Sequence, residues 1–81
     1  MLYFNEKLRV IRKEAGATQK QTALALGIAE RNYQHYEAGT SKPSFELLPK
    51  LCLYFNVSAD YLLGLSDDPR PLNIDSREAS G

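Results

Sequence analysis

The sequence predicts an all-α fold, a compact bundle of five helices, from three observations. Apolar residues near the start of the chain recur at i, i+4, i+7 and i+11, the spacing of one helix face. They are Phe4, Leu8, Ile11 and Ala15. Thr18 and Ser58 each stand where a helix-capping side chain is favoured. Glycines such as Gly16 and Gly64 follow the apolar segments and can end a helix.

The five helices are predicted over residues 2–15, 18–26, 29–38, Pro49–Phe55 and Ser58–Gly64. The start of the fourth helix depends on Pro49. If Ser44 capped this helix, Pro49 would lie in its second turn, lack an amide and clash with the preceding turn. Proline is well tolerated at the first helical position. We therefore predict an irregular or 3₁₀ turn over Ser44–Leu48 and a regular helix from Pro49.

The stretch Thr18–Gly39 has the outline of two helices joined by a tight turn. Thr18 and Gln21 have the spacing of a capping box. Gly27 can take the positive φ that a sharp stop requires, and Ala23 is small enough for a second helix to cross closely. That second helix has an apolar edge formed by Ile28, Tyr33 and Tyr36. The combination predicts a helix-turn-helix, whose second helix normally enters the DNA major groove.

Length and composition limit the chain to one small domain. Its 81 residues contain no apolar run that could span a membrane and no secretory signal at the N-terminus, so we expect a cytoplasmic protein. One cysteine excludes an intrachain disulfide, and one cysteine with one histidine leaves no structural zinc site. We expect the helix-turn-helix domain to occupy residues 1–66, and the polar tail, residues 67–81, to be disordered in a monomer.

The net charge of zero hides an uneven distribution. Residues 1–42 contain seven Lys/Arg against four Asp/Glu, a balance of +3. Residues 43–66 carry −1 and residues 67–81 carry −2. The positive charge therefore gathers around the predicted helix-turn-helix, where it can contact phosphates. The excess is modest, so we expect a monomer to bind DNA weakly.

An ordered set of residues runs through the predicted helices. It comprises Leu8-Arg9 with Arg12, Gly16, Thr18-Gln19, Ala23, Leu26-Gly27-Ile28, Tyr33, Tyr36-Glu37, Gly39, Lys42-Pro43-Ser44, Leu51, and Val57-Ser58 with Asp60-Tyr61-Leu62-Leu63-Gly64. This set resembles the five-helix DNA-binding domain of the lambda-type phage repressor, Cro and Xre family, over residues 4–66. Two residues depart from the family pattern. Thr22 replaces a usual Leu, and Ala29 replaces the Ser or Thr that usually caps the third helix, a loss of ~1 kcal/mol.

The polar face of the third helix contains the candidate base-reading residues. They lie away from the Tyr33/Tyr36 edge and are Glu30, Arg31, Asn32, Gln34 and His35. Arginine suits guanine, the amides suit adenine, and glutamate suits the cytosine amino group. The resemblance implies base contacts at Glu30, Arg31 and His35, and base or phosphate contacts at Asn32 and Gln34. The alternative is an ordinary solvated helix face.

Two further groups of site residues depend mainly on the resemblance. The expected phosphate-binding residues are Thr18, Gln19, Lys20, Thr40 and Lys42. Gln19 matches the family residue that binds a phosphate at the start of the second helix. For the lysines the alternative is ordinary surface charge. Arg12 and Glu37 match a pair that bridges the first and third helices, and the alternative is two solvated charges.

The function expected from these features is sequence-specific regulation of transcription, most simply as a repressor that occludes a promoter. One reading helix covers few base pairs, so we expect a homodimer on a palindromic operator. The resemblance implies that the dimer contact lies in Pro49–Ser66. The alternative is an antitoxin or adaptor that binds a protein partner with this fold or with the tail Leu72–Gly81. Neither an enzyme nor a cofactor, metal or small-molecule site is expected, because no nucleophile–base or metal-binding constellation is present.

Overall fold

Five α-helices make up the fold in a computed structural model, which describes residues 3–70. They are α1 Phe4–Glu14, α2 Gln19–Leu26, α3 Glu30–Ala38, α4 Leu47–Phe55 and α5 Ala59–Leu62. No strand occurs between residues 3 and 70. The prediction of an all-α five-helix fold is confirmed, although the predicted start of the first helix at residue 2 lies outside the described residues. None of these helices is long and apolar enough to cross a membrane.

The ends of α2 have the local contacts that the sequence predicts. The Gln21 amide donates to Thr18 Oγ1 at 3.0 Å, and the Thr18 amide donates to Gln21 Oε1 at 2.9 Å. Gly27 ends the helix with φ of 75°. Thr22 is buried, and its hydroxyl donates to the Thr18 carbonyl at 2.9 Å. A polar residue is therefore accommodated under α2 without an unpaired hydroxyl.

The predicted start of α4 at Pro49 was wrong by two residues. The helix begins at Leu47, after a turn in which the Leu47 amide donates to the Ser44 carbonyl at 3.0 Å. Pro49 is thus the third residue of the helix. The first four amides of a helix have no acceptor within it, so the missing proline amide loses no hydrogen bond there. The irregular turn predicted over Ser44–Leu48 is limited to the residues before Leu47.

The core lies between α1, α3, α4 and the two shortest helices, α2 and α5. Leu8 and Ile11 supply the α1 side of it, as the apolar stripe predicts, whereas Phe4 is half-buried and Ala15 is exposed. The other buried apolar residues are Ala23, Leu26, Tyr33, Leu47, Leu51, Phe55, Val57 and Leu62. α3 packs against both α1 and α2. One side of α3 is therefore fixed by packing and the other is left to solvent.

The chain after α5 turns back to the start of that helix. Ser58 caps α5 by accepting from the Tyr61 amide at 3.0 Å, and its own amide donates to the Pro69 carbonyl at 2.9 Å. Asp68 and Arg70 form an exposed ion pair at 2.8 Å, which lowers the pKa of Asp68 to about 2. The remainder of the predicted disordered tail, residues 71–81, lies outside the described residues.

Candidate nucleic-acid interface

The exposed face of α3 presents all five candidate base-reading side chains. Tyr33 and Glu37 are buried on the opposite side of the helix, with exposures of 0% and 2%. The exposed set is Glu30, Arg31, Asn32, Gln34 and His35. Ala29 begins the helix in extended backbone and makes no side-chain capping bond. The face therefore has a polar, solvent-directed surface and an uncapped first turn.

Three of these five side chains make contacts with described residues. Gln34 Nε2 donates to Glu30 Oε2 at 3.4 Å, one helical turn away. His35 Nδ1 lies 2.8 Å from the hydroxyl of Thr40, in the loop that follows α3. Arg31 and Asn32 make no side-chain hydrogen bond to residues 3–70. Their guanidinium and amide groups are therefore available to a ligand.

Arg12 and Glu37 form an ion pair behind this face. Arg12 Nε lies 2.5 Å from Glu37 Oε2, and Nη2 lies 3.0 Å from Oε1. Burial alone would raise the pKa of the Glu37 carboxyl, but the hydrogen bonds donated to it and the positive charge of Arg12 together outweigh burial and lower the pKa. The Tyr33 hydroxyl is buried nearby without a partner in hydrogen-bond geometry. Desolvation, reinforced by the Glu37 carboxylate, raises the pKa of this hydroxyl.

Two α1 side chains that sequence reasoning missed also hold the end of α3. Asn5 Nδ2 and Arg9 Nη2 donate to the Glu37 carbonyl, at 3.5 and 3.3 Å. A Cβ on Gly39 would lie 3.1 Å from Asn5 Nδ2, so α1 approaches the loop after α3 closely. Asn5, Arg9 and Arg12 follow i, i+4, i+7 spacing and form a polar stripe on α1 beside the apolar one. That stripe is the signal that would have found them.

The expected phosphate-binding residues fall into different environments. Gln19 is half-buried and donates from Nε2 to Glu37 Oε1 at 3.1 Å, which connects the start of α2 to the end of α3. Thr18 is engaged in the capping box, and Thr40 in the contact with His35. Lys20 and Lys42 are exposed and form no ion pair with residues 3–70. Within the five expected phosphate-binding residues, these two lysines therefore present the uncommitted charge.

The described residues bring together no cluster of three His, Cys, Asp or Glu side chains that could hold a metal ion. Cys52 is half-buried, and burial raises the pKa of its thiol. The chemistry of the exposed α3 face is hydrogen bonding by amide, guanidinium, imidazole and carboxylate groups. These are the groups that read base edges in a major groove.

Comparison with known proteins places this geometry in a family. Residues 5–67 match the helix-turn-helix domain family. The chain belongs to this family. The helix-turn-helix chain is 44% identical over 66 residues to the uncharacterized HTH-type transcriptional regulator YobD of Bacillus subtilis, covering 82% of its own length and 59% of YobD. It is 36% identical over 59 residues to antitoxin PezA of Streptococcus pneumoniae, covering 73% of its own length and 37% of PezA.

A solved structure shares this fold. The P22 c2 repressor protein, in complex with synthetic operator 9T, superposes with a TM-score of 0.75. The match covers 82% of the helix-turn-helix chain and 100% of the repressor chain, at 24% identity. At that identity the likeness establishes the five-helix architecture of the lambda-repressor type.

Proposed function

We propose that this helix-turn-helix protein is a sequence-specific DNA-binding regulator of transcription, acting as a repressor that occludes a promoter. The observation that carries the proposal is that α3 has one exposed polar side and one side packed in the protein. Its polar side chains point to solvent, while Tyr33 and the Arg12–Glu37 pair fix its other side in the protein. A reading helix needs this arrangement, because base contacts in the major groove demand side chains on a rigid support.

In this proposal each exposed α3 residue has a role that its chemistry suits. Arg31 binds guanine O6 and N7, and the Asn32 and Gln34 amides bind adenine N6 and N7. Glu30 accepts from a cytosine amino group. The negative charge of Glu30 repels phosphates, so Glu30 lowers the affinity for sites that lack a cytosine amino group at that position. His35, in the last turn of α3, completes the face.

Phosphate contacts would place α3 in the groove. The amides of Gln19 and Lys20 begin α2 and have no acceptor within the helix, and the Gln19 side chain keeps one amide hydrogen after bonding to Glu37. Thr18 and Lys20 lie beside them, and Lys42 lies in the loop beyond α3. Thr40 belongs to the same loop, but its hydroxyl already bonds to His35, so we leave it out of the phosphate-binding set.

We further propose a homodimer through Pro49–Ser66 on a palindromic operator. Leu53 and Leu65 are 81% and 74% exposed there, so both are apolar side chains that a second copy could cover. Leu53 and Tyr54 also line a shallow groove of about 540 Å³ beside Leu24. Two reading helices one DNA turn apart, ~34 Å, would give useful specificity. The proposal includes a binding domain at residues 1–66, a separate tail after it, and a cytoplasmic location.

In vitro selection of duplex DNA by the purified protein tests this function. We expect enrichment of a two-fold symmetric motif, with affinity that falls steeply as salt rises. Arg31→Ala should lose the preference at one position of each half-site. Lys13→Ala, an exposed charge on α1, is the matched control and should select the same motif. Failure of the wild-type protein to enrich any duplex would contradict the proposal.

A second candidate is a protein-binding role, favoured by the likeness to a protein named as an antitoxin. In that role the fold, or the tail Leu72–Gly81 outside the described residues, would hold a partner protein. Co-purification of a stable partner that protects the tail from protease would support this role. DNA selection by the isolated chain would favour the regulator instead.

A further inference from the structure

The loop after α3 is folded back onto the end of the helix by its own backbone. The amides of Gly39, Thr40 and Ser41 all converge on the carbonyl oxygen of His35, at 3.0, 3.1 and 3.3 Å. Gly39 makes this possible because it takes φ of 84°, in the left-handed region. Thr40 is therefore held over His35 by main-chain bonds that do not depend on either side chain.

This backbone arrangement places the Thr40 hydroxyl against one nitrogen of the imidazole. Thr40 Oγ1 lies 2.8 Å from His35 Nδ1 and 3.4 Å from the His35 carbonyl oxygen. That carbonyl already accepts from three amides, so the single hydroxyl proton is better used at the nearer acceptor, Nδ1. A hydroxyl that donates to Nδ1 leaves the proton of a neutral ring on Nε2.

We propose that Thr40 is a positioning residue that fixes His35 with Nδ1 bonded to the protein and Nε2–H directed at DNA. His35 is exposed, and its Nε2 has no partner among residues 3–70, so this N–H is the donor that the end of α3 offers. The inference rests on the proposed function, because it assigns a reading role to that donor. Thr40 thus acts through His35 and not on a phosphate.

A fixed N–H donor has a definite preference in the major groove. Guanine and adenine both present the N7 acceptor there, whereas cytosine presents an amino donor. A donor at Nε2 therefore favours a purine and disfavours cytosine at the base that faces His35. An imidazole free to rotate or to exchange its tautomer would present either a donor or an acceptor and discriminate less.

The first test observes the ring in the free protein. The chain has one histidine, so ¹⁵N NMR of the imidazole gives a single set of signals. At roughly pH 9, where an ordinary imidazole is neutral, the wild type and Thr40→Ser should show the proton on Nε2 and one ring orientation. Thr40→Val, which removes the hydroxyl with little change of shape, should show an averaged ring. A wild-type proton on Nδ1, or an unchanged ring in Thr40→Val, would overturn the inference.

The second test measures base discrimination as a double-mutant cycle. Thr40→Val should reduce the purine-over-cytosine ratio at one position by about three- to tenfold, the effect of losing one hydrogen bond, and Thr40→Ser should restore it. In a His35→Ala background Thr40→Val should have no further effect. Equal weakening in both backgrounds would mean that Thr40 binds a phosphate itself. If the wild type selects no duplex, both the proposed DNA-binding function and the base contact of His35 are wrong. The NMR result still decides whether Thr40 fixes the ring.

Discussion

Arg12 joins the buried carboxylate of Glu37 to the link between α1 and α2. While Nε and Nη2 hold the carboxylate, Nη1 donates to the Ala17 carbonyl at 2.9 Å. The side chains of the pair are only 12% and 3% exposed, in contrast to the solvated pair of Asp68 and Arg70. One guanidinium thus connects α1, the entrance to α2 and the last turn of α3.

Removal of one member of this pair should cost much more than removal of both. Arg12→Met leaves a buried charge without its partner and should lower the free energy of unfolding by ~3–5 kcal/mol. Adding Glu37→Gln should recover part of this loss, because no unpaired charge remains. Urea unfolding of the single and double variants measures the coupling. Arg70→Met, which breaks the exposed pair, is the control and should leave stability unchanged; additive losses at residues 12 and 37 would contradict the coupling.

The same pair should make the protein sensitive to acid. The pKa of Glu37 is lowered in the folded state from its ordinary value of 4.5. The unfolded chain therefore binds more protons as the pH falls. The stability that the carboxylate contributes is present above about pH 4.5 and is lost as the pH falls through the lowered pKa. Urea titrations at descending pH should show a steeper loss for the wild type than for Glu37→Gln. Identical slopes would be evidence against this role.

A capping side chain at residue 29 should stabilise α3. Ala29 already has the extended backbone of a capping residue, with φ −68° and ψ 144°, but no side-chain acceptor. Ala29→Ser supplies a hydroxyl for the amide of Asn32 and should raise the free energy of unfolding by ~1 kcal/mol. Ala29→Val, which adds no acceptor and is as poor a capping residue as alanine, is the control. Equal melting temperatures of Ala29→Ser and the wild type would show that the first turn gains nothing from a cap.

Glu30 should determine how strongly α3 discriminates between base sequences. Its carboxylate is exposed in the first turn and bonds only weakly, through Gln34, to the described residues. Glu30→Gln removes the repulsion from phosphates and should raise the affinity for random duplex DNA while relaxing the base preference. Binding to random and selected duplexes over a salt series measures both effects. An unchanged preference would argue against base reading by Glu30.

The exposed apolar surface of α4 should control assembly. Leu53→Glu replaces a side chain that is 81% exposed, so the monomer should fold normally while the proposed dimer is lost. Sedimentation and duplex binding should then show a monomer with weakened affinity for a two-fold site. Val10→Glu, which alters an exposed apolar residue of α1, should leave the dimer intact. A Leu53→Glu protein that still dimerises would place the contact elsewhere.

The parts of the fold that the sequence predicts well depend on local contacts. Each of these contacts uses residues within a few positions of one another. They are the capping box of Thr18 and Gln21, the helix end at Gly27 and the helix cap at Ser58. The start of α4 was misplaced because a proline at the third helical position is as harmless as one at the first. Local rules therefore located the helices but not every boundary.

The contacts between distant parts of the chain were harder to anticipate. Gln19 is 18 residues from Glu37, and Asn5 is 32 residues from it. Their convergence depends on how α1, α2 and α3 pack, which no local pattern specifies. The resemblance supplied the Arg12–Glu37 pair but not these neighbours. The His35–Thr40 contact depends on a loop fold that also lay beyond the sequence argument.

The bond from the Ser58 amide to the Pro69 carbonyl has a consequence for labelling. It returns the chain to the corner between α4 and α5, so a fluorophore attached at residue 70 would stand beside the surface where we propose that two copies meet. One attached at residue 3 would stand near Asn5, which approaches the loop after α3. The two attachment points would thus report subunit pairing and DNA engagement separately.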